Sequence, residues 1–295
     1  MRILVTGKNG QVGWELQRSL QCVGEVIAVD RATFDLAQPA SLAAQLDAMA
    51  PKVIVNAAAY TAVDKAESEE ALATAVNAEA VGALARWAAA RNALMVHYST
   101  DYVFDGSGHT PWQPGDAPAP LSAYGRSKLA GERAVFEAGG RHLVLRTSWV
   151  YGARGHNFLR TVQRLAAERD ELRIVDDQIG APTPARLIAD TTAHLVLAAR
   201  AEHDAGRFQP AVLHLTAGGS TSWHGFASAI VDGLRARGAP LRCERIVGIP
   251  TNDYPTPAQR PRNSRLDCTA LTARFGLVLP DWRAGLAMCL DELAT

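Results

Sequence analysis

The sequence predicts an α/β fold, a doubly wound parallel sheet followed by a smaller C-terminal lobe. Short β-branched runs alternate with Ala- and Leu-rich segments of helical period through the first half of the chain. A glycine-rich turn joins the first of these runs to the first helical segment. After about Tyr151 the alternation becomes less regular, which marks where the second lobe begins.

Taken in order, Arg2–Thr6, Glu25–Asp30, Lys52–Asn56, Leu94–Ser99 and His142–Trp149 read as strands. Between them Leu16 and Leu20 lie one helical turn apart, as do Leu42 and Leu46, so each connecting helix turns one apolar stripe onto the sheet. Right-handed crossovers then wind the sheet both ways from its centre. Gly106 to Pro120 is rich in Gly and Pro and reads as a loop, and a helix begins near Tyr124. Beyond Tyr151 the expectation is helix Asn157–Arg169, strand Leu172–Val175, a turn at Pro182 and Pro184, helix Ala185–Arg200, strand Val212–Thr216 and helix Ser222–Arg235. Ile249 to Pro261 carries four prolines in thirteen residues, too broken for a regular element. Residues 1–150 are expected to form a nucleotide-binding domain and 151–295 a second lobe, with about 185–217 returning to the main sheet.

At 295 residues the chain buries a core without staples. Lys plus Arg and Asp plus Glu number 30 each, so net charge gives no support for nucleic acid or an anionic membrane as partner, and a small molecule is favoured. Cys22, Cys243, Cys268 and Cys289 are far apart and form neither a C-x-x-C pair nor a zinc spacing; they read as buried thiols in a reducing cytoplasm. The eight histidines show no ligand spacing either. Ile3-Leu4-Val5 runs straight into the glycine turn, and no segment approaches the roughly 20 apolar residues of a spanning helix, so the protein reads as soluble and unexported.

Gly7, Gly10 and Gly13 stand at G-x-x-G-x-x-G spacing within Val5-Thr6-Gly7-Lys8-Asn9-Gly10-Gln11-Val12-Gly13. Gly7 allows a tight turn, Gly10 lets the backbone approach a pyrophosphate, Gly13 lets helix and strand pack closely, and the helix N-terminus faces the negative charge. This is the fingerprint of a Rossmann dinucleotide site, and Asn9, Gln11 and Val12 belong to it. Asp30 ends the second strand, where a carboxylate accepts hydrogen bonds from the adenosine ribose. Arg31 beside it suits the 2′-phosphate of NADP, so the two neighbours argue for opposite cofactors and the expectation is use of both NADPH and NADH. Asp35 and Leu36 are counted with the same cofactor set. Ala57, Ala58, Ala59 and Tyr60 follow the third strand, small residues for the most part, against which a cofactor can lie.

Tyr124 and Lys128 stand at i and i+4, on one helical face. A tyrosine with a pKa near 10 holds its proton tightly, and a nearby ammonium stabilises the phenolate and eases proton exchange. The fourth strand ends in His97-Tyr98-Ser99-Thr100-Asp101-Tyr102-Val103-Phe104, which brings a hydroxyl to the carboxyl end of the sheet, where open α/β folds bind ligands. Thr100 is positioned to hydrogen-bond a substrate carbonyl oxygen opposite Tyr124; Ser99, otherwise a cofactor contact, is the alternative for that role. Together these pieces read as a hydride-transfer site.

The segments Thr6 to Gly13, Asn56 to Glu67, Ser99 to Phe104, Tyr124 to Glu132, Arg146 to Gly152, Gly180-Ala181-Pro182-Thr183 and Arg260-Pro261-Arg262-Asn263-Ser264 together resemble the dTDP-4-dehydrorhamnose reductase family, over nearly the whole chain. Most are shared with sugar-nucleotide epimerases and dehydratases; Ser-Thr-Asp-Tyr-Val-Phe, Arg-Thr-Ser-Trp-Val-Tyr-Gly and Arg-Pro-x-Asn-Ser are more particular. The resemblance implies a hydride delivered to carbon 4 of a dTDP-keto sugar, with Tyr124 as acid, Lys128 tuning it and holding the nicotinamide ribose, and Thr100 orienting the oxygen. It also implies that Val63, Tyr102 and Trp149 line the sugar pocket. In the second lobe Asn157, Gln178, Arg260 and Asn263 are placed near the nucleotide portion, with Arg260, Arg262 or Arg265 engaging the diphosphate. Some members dimerise through a metal held by carboxylates. Glu15 and Glu292 match that pattern, but Arg186 stands where another carboxylate is expected and would repel a cation, so no metal is expected. Monomer and homodimer both remain open. A related reductase or epimerase acting on another keto sugar is the first rival; a non-catalytic regulatory subunit that keeps the nucleotide pocket is the second, and the intact Tyr124/Lys128 pair speaks against it.

Overall fold

The computed structural model describes residues 1–294; Thr295, the last residue of the expected second lobe, lies outside the described residues. The chain runs β1 (Arg2–Thr6), α1 (Gln11–Ser19), β2 (Glu25–Val29), α2 (Leu42–Met49) and β3 (Val53–Asn56). A longer excursion through α3 (Val63–Ala66), α4 (Glu70–Thr74), a π-helical turn at Ala75–Glu79 and α5 (Ala80–Ala90) leads to β4 (Leu94–Thr100). Next come α6 (Ala123–Ala138), β5 (Arg141–Thr147), β6 (Val150–Tyr151), α7 (Phe158–Glu168), β7 (Glu171–Val175), β8 (Ile179–Gly180) and β9 (Thr183–Pro184). α8 (Ala185–Asp204) then carries the chain to β10 (Ala211–His214). The remainder is β11 (Thr221–Ser222), α9 (Trp223–Ala236), β12 (Arg245–Ile249), β13 (Asn263–Ser264), α10 (Thr269–Phe275) and α11 (Trp282–Ala294).

Six strands form one sheet in the order β10-β5-β4-β3-β1-β2, and every pairing in it is parallel. The chain leaves β1 toward β2 and then returns to the other side of β1 as β3. The crevice at the carboxyl ends of β1 and β3 is therefore the switch point at which doubly wound sheets bind ligands. All seven residues of β4 are buried, because helices cover both faces. On one face Leu16 and Leu20 pack with Ile188 and Leu195 of α8. On the other Leu42 and Leu46 pack with Val81 and Leu84 of α5. Both leucine pairs are fully buried, each side chain contributing about 2 kcal/mol, so the helical spacing read in the sequence is what clamps these helices to the sheet. A third core, with Tyr151, Phe226, Ile230 and Trp282, sits under the smaller lobe.

Most strand and helix limits differ from the sequence expectation by only one to a few residues, and the informative differences have causes. The fifth strand stops at Thr147 and not at Trp149, because Trp149 takes a left-handed conformation, φ 48°, that a parallel strand does not admit. The chain resumes as β6, which pairs with β9 outside the large sheet. Within Ile249–Pro261, Ile249 closes β12 and a single 3-10 turn occupies Thr251–Asp253. Sequence periodicity missed β12, α10, α11 and the π turn. No helix among the described residues is long and apolar enough to cross a membrane; all four cysteines are free thiols, Cys243 and Cys289 buried as expected, Cys268 partly buried and Cys22 exposed.

Candidate active site

The glycine turn follows β1 at the switch point. Gly7 has φ 72°, and a Cβ there would lie 2.9 Å from the Ala58 backbone after β3. A Cβ on Gly13 would fall 2.0 Å from the Gly7 carbonyl oxygen, so only glycine lets α1 seat this close to the turn. α1 has no side-chain cap, which leaves first-turn amides at the cleft margin where Gly10, Gln11 and Val12 lie. The cleft measures about 1030 Å³ and extends from Asp30, Arg31, Asp35 and Leu36 past Ala57–Tyr60 to Thr100, Tyr124 and Lys128. That is the upper end of usual small-molecule sites, enough for a dinucleotide and part of a second ligand.

At the end of the cleft beside the close of β2, Asp30 Oδ2 accepts from Asn9 Nδ2 at 3.1 Å and is 3.1 Å from Lys8 Nζ. Lys8, chiefly through this hydrogen bond, holds the Asp30 carboxyl below its ordinary range. Arg31 is exposed and lies 3.6 Å from Asp35. Sequence reasoning missed Lys8, whose position inside the glycine turn was the available signal.

At the other end Ser122 caps α6 by accepting from the Gly125 amide at 3.1 Å, and Glu67 accepts from the Ala123 amide at 2.9 Å. A Cβ on Gly125 would be 2.2 Å from the Tyr102 carbonyl oxygen, so glycine lets the helix press against the end of β4. The rings of Tyr124 and Tyr102 meet edge to face at 5.5 Å. Lys128 is 2% exposed and donates to the Tyr98 carbonyl at 2.6 Å; burial, only partly offset by Glu132, pulls its ammonium down to about 8. Burial raises the Tyr124 phenol, with the Asp101 charge adding to it. Thr100 donates to Asp101 Oδ1 at 3.0 Å and accepts from the Tyr102 amide at 3.2 Å. Asn77, buried in the π turn, fixes the Tyr60 backbone through bonds of 2.9 and 3.0 Å and donates to Ser127 on α6 at 3.0 Å. Nothing in the sequence pointed to Asn77, because its partners come from two other segments.

Val63, Tyr102, Trp149 and Asn157 line the cleft with the catalytic candidates. Trp149 stacks on Trp223 at 3.6 Å between ring centroids. Asn157 caps α7 and donates to Gln11 Oε1 at 2.9 Å, which places it beside the start of α1. Three expected substrate residues are not in the lining, and each has its polar atoms committed elsewhere. Gln178 donates to Thr251 at 3.2 Å and accepts from Trp223 at 3.1 Å. Arg260 grips Asp64 with two hydrogen bonds of 2.9 Å, and Asn263 holds the loop carbonyls of Ser107 and Thr110. Arg262 lies 3.8 Å from Asp177, and Arg265 donates to Asn263. Gly13 also stays out of the lining, since its part is packing. Arg186 stands between Glu15, at 3.6 Å, and Glu292, at 2.7 Å.

The residues present fit a nicotinamide dinucleotide. The glycine cradle admits no Cβ at Gly7 or Gly13, and the buried hydroxyls of Ser99 and Thr147, both on the cleft, have no partner within the protein. Among the described residues no group of three or more His, Cys, Asp or Glu side chains is arranged to hold a metal.

Comparison with known proteins agrees with this geometry. The family model described as RmlD substrate binding domain matches residues 1–295. A dTDP-4-dehydrorhamnose reductase of Burkholderia thailandensis is 56% identical over 295 residues, spanning 99% of either chain. The crystal structure of a dTDP-4-dehydrorhamnose reductase from Clostridium acetobutylicum matches at a TM-score of 0.89 with 35% identity, covering 100% of both chains. The corresponding reductase of Bacillus anthracis, solved in complex with NADP, matches at 0.87 with 32% identity over 99% of each chain.

Proposed function

The chain belongs to the dTDP-4-dehydrorhamnose reductase family, and from that premise we propose that it reduces the 4-keto group of dTDP-4-dehydro-L-rhamnose to dTDP-L-rhamnose, the last step of dTDP-rhamnose synthesis, using NADPH or NADH. The observation that carries the reading is that Tyr124 and Lys128 share one cleft with the glycine turn. When bound, the reduced nicotinamide supplies the hydride for carbon 4.

The protein's own groups do the rest. Residues 1–150, with α8 and β10, form the dinucleotide half, and the remaining residues of the second lobe close over the sugar nucleotide. Because burial holds the Tyr124 phenol protonated, Tyr124 enters the reaction as the acid and gives its proton to the developing alkoxide. The phenolate left behind in a buried site needs a cation, and Lys128 is the ammonium on the same helical face. Its bond to the Tyr98 carbonyl fixes the ammonium in place. Thr100 orients the substrate oxygen, while Val63, Tyr102 and Trp149 shape the sugar pocket. Asp30 takes the adenosine ribose, and Lys8 and Arg31 supply positive charge for a 2′-phosphate, which is why both dinucleotides are assigned. The four free thiols accord with work in the cytoplasm.

The test is the fall of NAD(P)H absorbance on adding dTDP-4-dehydro-L-rhamnose to the purified protein, with the product's stereochemistry read by NMR. Oxidation with either cofactor, within about a hundredfold of each other, and the rhamno configuration at carbon 4 are expected. No oxidation, or the opposite configuration, overturns the assignment.

A further inference from the structure

One carboxyl at the heart of the cleft has no part in the scheme above. Asp101 is 2% exposed, lines the cleft and follows Thr100 directly. Its Oδ1 is 3.0 Å from Thr100 Oγ1, while Oδ2 is buried with no hydrogen-bond partner. An ionised carboxylate with one oxygen left bare in a buried site is costly, and a neutral carboxyl removes most of that cost.

The hydroxyl of Thr100 has one proton and two lone pairs. One lone pair takes the Tyr102 amide. If Asp101 is ionised, the proton goes to Oδ1, and Thr100 has nothing to offer a carbonyl oxygen, itself an acceptor. If Asp101 is neutral, its own proton fills the second lone pair and the Thr100 proton is free to turn to the ligand. We propose that Asp101 is a positioning residue for the reduction, which in its neutral form donates to Thr100 Oγ1 and so directs the threonine hydroxyl proton at the substrate's keto oxygen. No proton is consumed at Asp101, because the bond to Thr100 only reverses direction; the proton that reaches the alkoxide comes from Tyr124. This inference rests on the reductase reading.

The surroundings enlarge the neutral population, which becomes the major form below about pH 6. Burial pushes the Asp101 carboxyl up to about 6, against the opposing pull of the Ser264 hydroxyl from β13, the Thr100 hydroxyl and the backbone amides of Asp101 and Tyr102. Tyr102 beside it and Tyr124 on α6 feel its charge; both phenols are raised chiefly by burial and further by that charge. Lys128 on α6 acts on His97 of β4, and the Arg260–Asp64 pair of the second lobe and α3 acts on Tyr102; neither neutralises Asp101.

The test compares kcat against pH for the unaltered protein, Asp101→Asn and Asp101→Ala, together with a carbon-13 NMR titration of Asp101 in ligand-free protein. In the unaltered protein kcat should fall in a first step as pH rises past the Asp101 titration, below the separate step of Lys128. The amide of Asp101→Asn donates to Thr100 at any pH, so this variant should lose the first step and overtake the unaltered protein above it. Asp101→Ala should lower kcat about tenfold or more with KM within about twofold. Thr100→Val should raise the Asp101 titration in the NMR measurement, since a hydroxyl that favours the charged form has gone. It should also make the Asp101→Asn change silent in kcat. A first step that persists in Asp101→Asn, or effects of the two substitutions that multiply, overturns the proposal. Failure of the reductase reading shows differently, as no NAD(P)H oxidation by the unaltered protein, and the NMR coupling of Thr100 to Asp101 is read without turnover.

Discussion

Tyr124 and Lys128 make opposite demands on the protein, and their substitutions should separate function from stability. Tyr124→Phe removes the transferable proton but keeps the ring that meets Tyr102. Turnover should fall by about a hundredfold or more while the dinucleotide dissociation constant stays within about twofold; near-normal turnover would take Tyr124 out of the mechanism. Lys128 carries a cost, because its ammonium is buried without a carboxylate in hydrogen-bond contact. In the unfolded chain the lysine titrates at 10.5, and in the folded protein at about 8. Below pH 8 the penalty is fully present. Between these values the unfolded chain binds more protons, so this group makes stability rise with pH across that window. Lys128→Met should therefore lose turnover and weaken dinucleotide binding, yet show a Tm at pH 7 equal to or above that of the unaltered protein, with the difference shrinking toward pH 10. A lower Tm at pH 7 that does not change with pH would show that the Tyr98 contact outweighs burial of the charge.

At the scale of the element, α6 has to be held still for the two side chains it carries to meet one pocket edge. Its start was legible to within a residue, because a Gly- and Pro-rich loop followed by Ser122-Ala123-Tyr124 is a capping sequence. What anchors its middle was not legible. Glu132 and Arg146 of β5 form a two-pronged ion pair of 2.8 and 2.7 Å, each side chain 4% exposed, and Arg146 also reaches the Pro114 carbonyl at 3.2 Å. Period and propensity describe one segment at a time, whereas this pair exists only once helix and sheet have met. Glu132→Gln leaves a buried guanidinium without its charge partner, and unfolding in urea should show a loss of about 3–5 kcal/mol. The double substitution Glu132→Leu with Arg146→Met should recover most of that loss; an additive loss would mean that packing around Arg146 matters more than its charge.

Across the whole molecule the two sequence halves are laced together around the cleft. Asp64 of α3 meets Arg260, and Trp112 donates to the Asn263 carbonyl at 3.1 Å. The first of these ties holds Arg260, the arginine expected at the diphosphate, in an ion pair. Outside the cleft lining, Arg186 joins Glu15 of α1 to Glu292 of α11, filling with a guanidinium the place between two carboxylates where a divalent ion would otherwise be drawn. Treatment with EDTA should therefore leave both Tm and turnover unchanged, and a fall in Tm of more than a few degrees that magnesium restores would refute this.

The sequence by itself determined the parallel sheet and its glycine turn, and put a phenol and an ammonium on one helical face, because each depends on spacing within a short stretch of chain. Backbone period, the turn that only Gly7 can make and the i, i+4 relation of Tyr124 and Lys128 are local facts. Only the tertiary structure decided which polar groups of the second lobe face the cleft and which brace it. Gln178, Arg260 and Asn263 are of the same residue types as ligand-binding groups, and what turns them into braces is a partner 73 to 196 residues distant, brought near by folding. The same reason hid Asn77, Glu132 and the bare oxygen of Asp101: whether a polar group is satisfied depends on neighbours that no sequence pattern specifies.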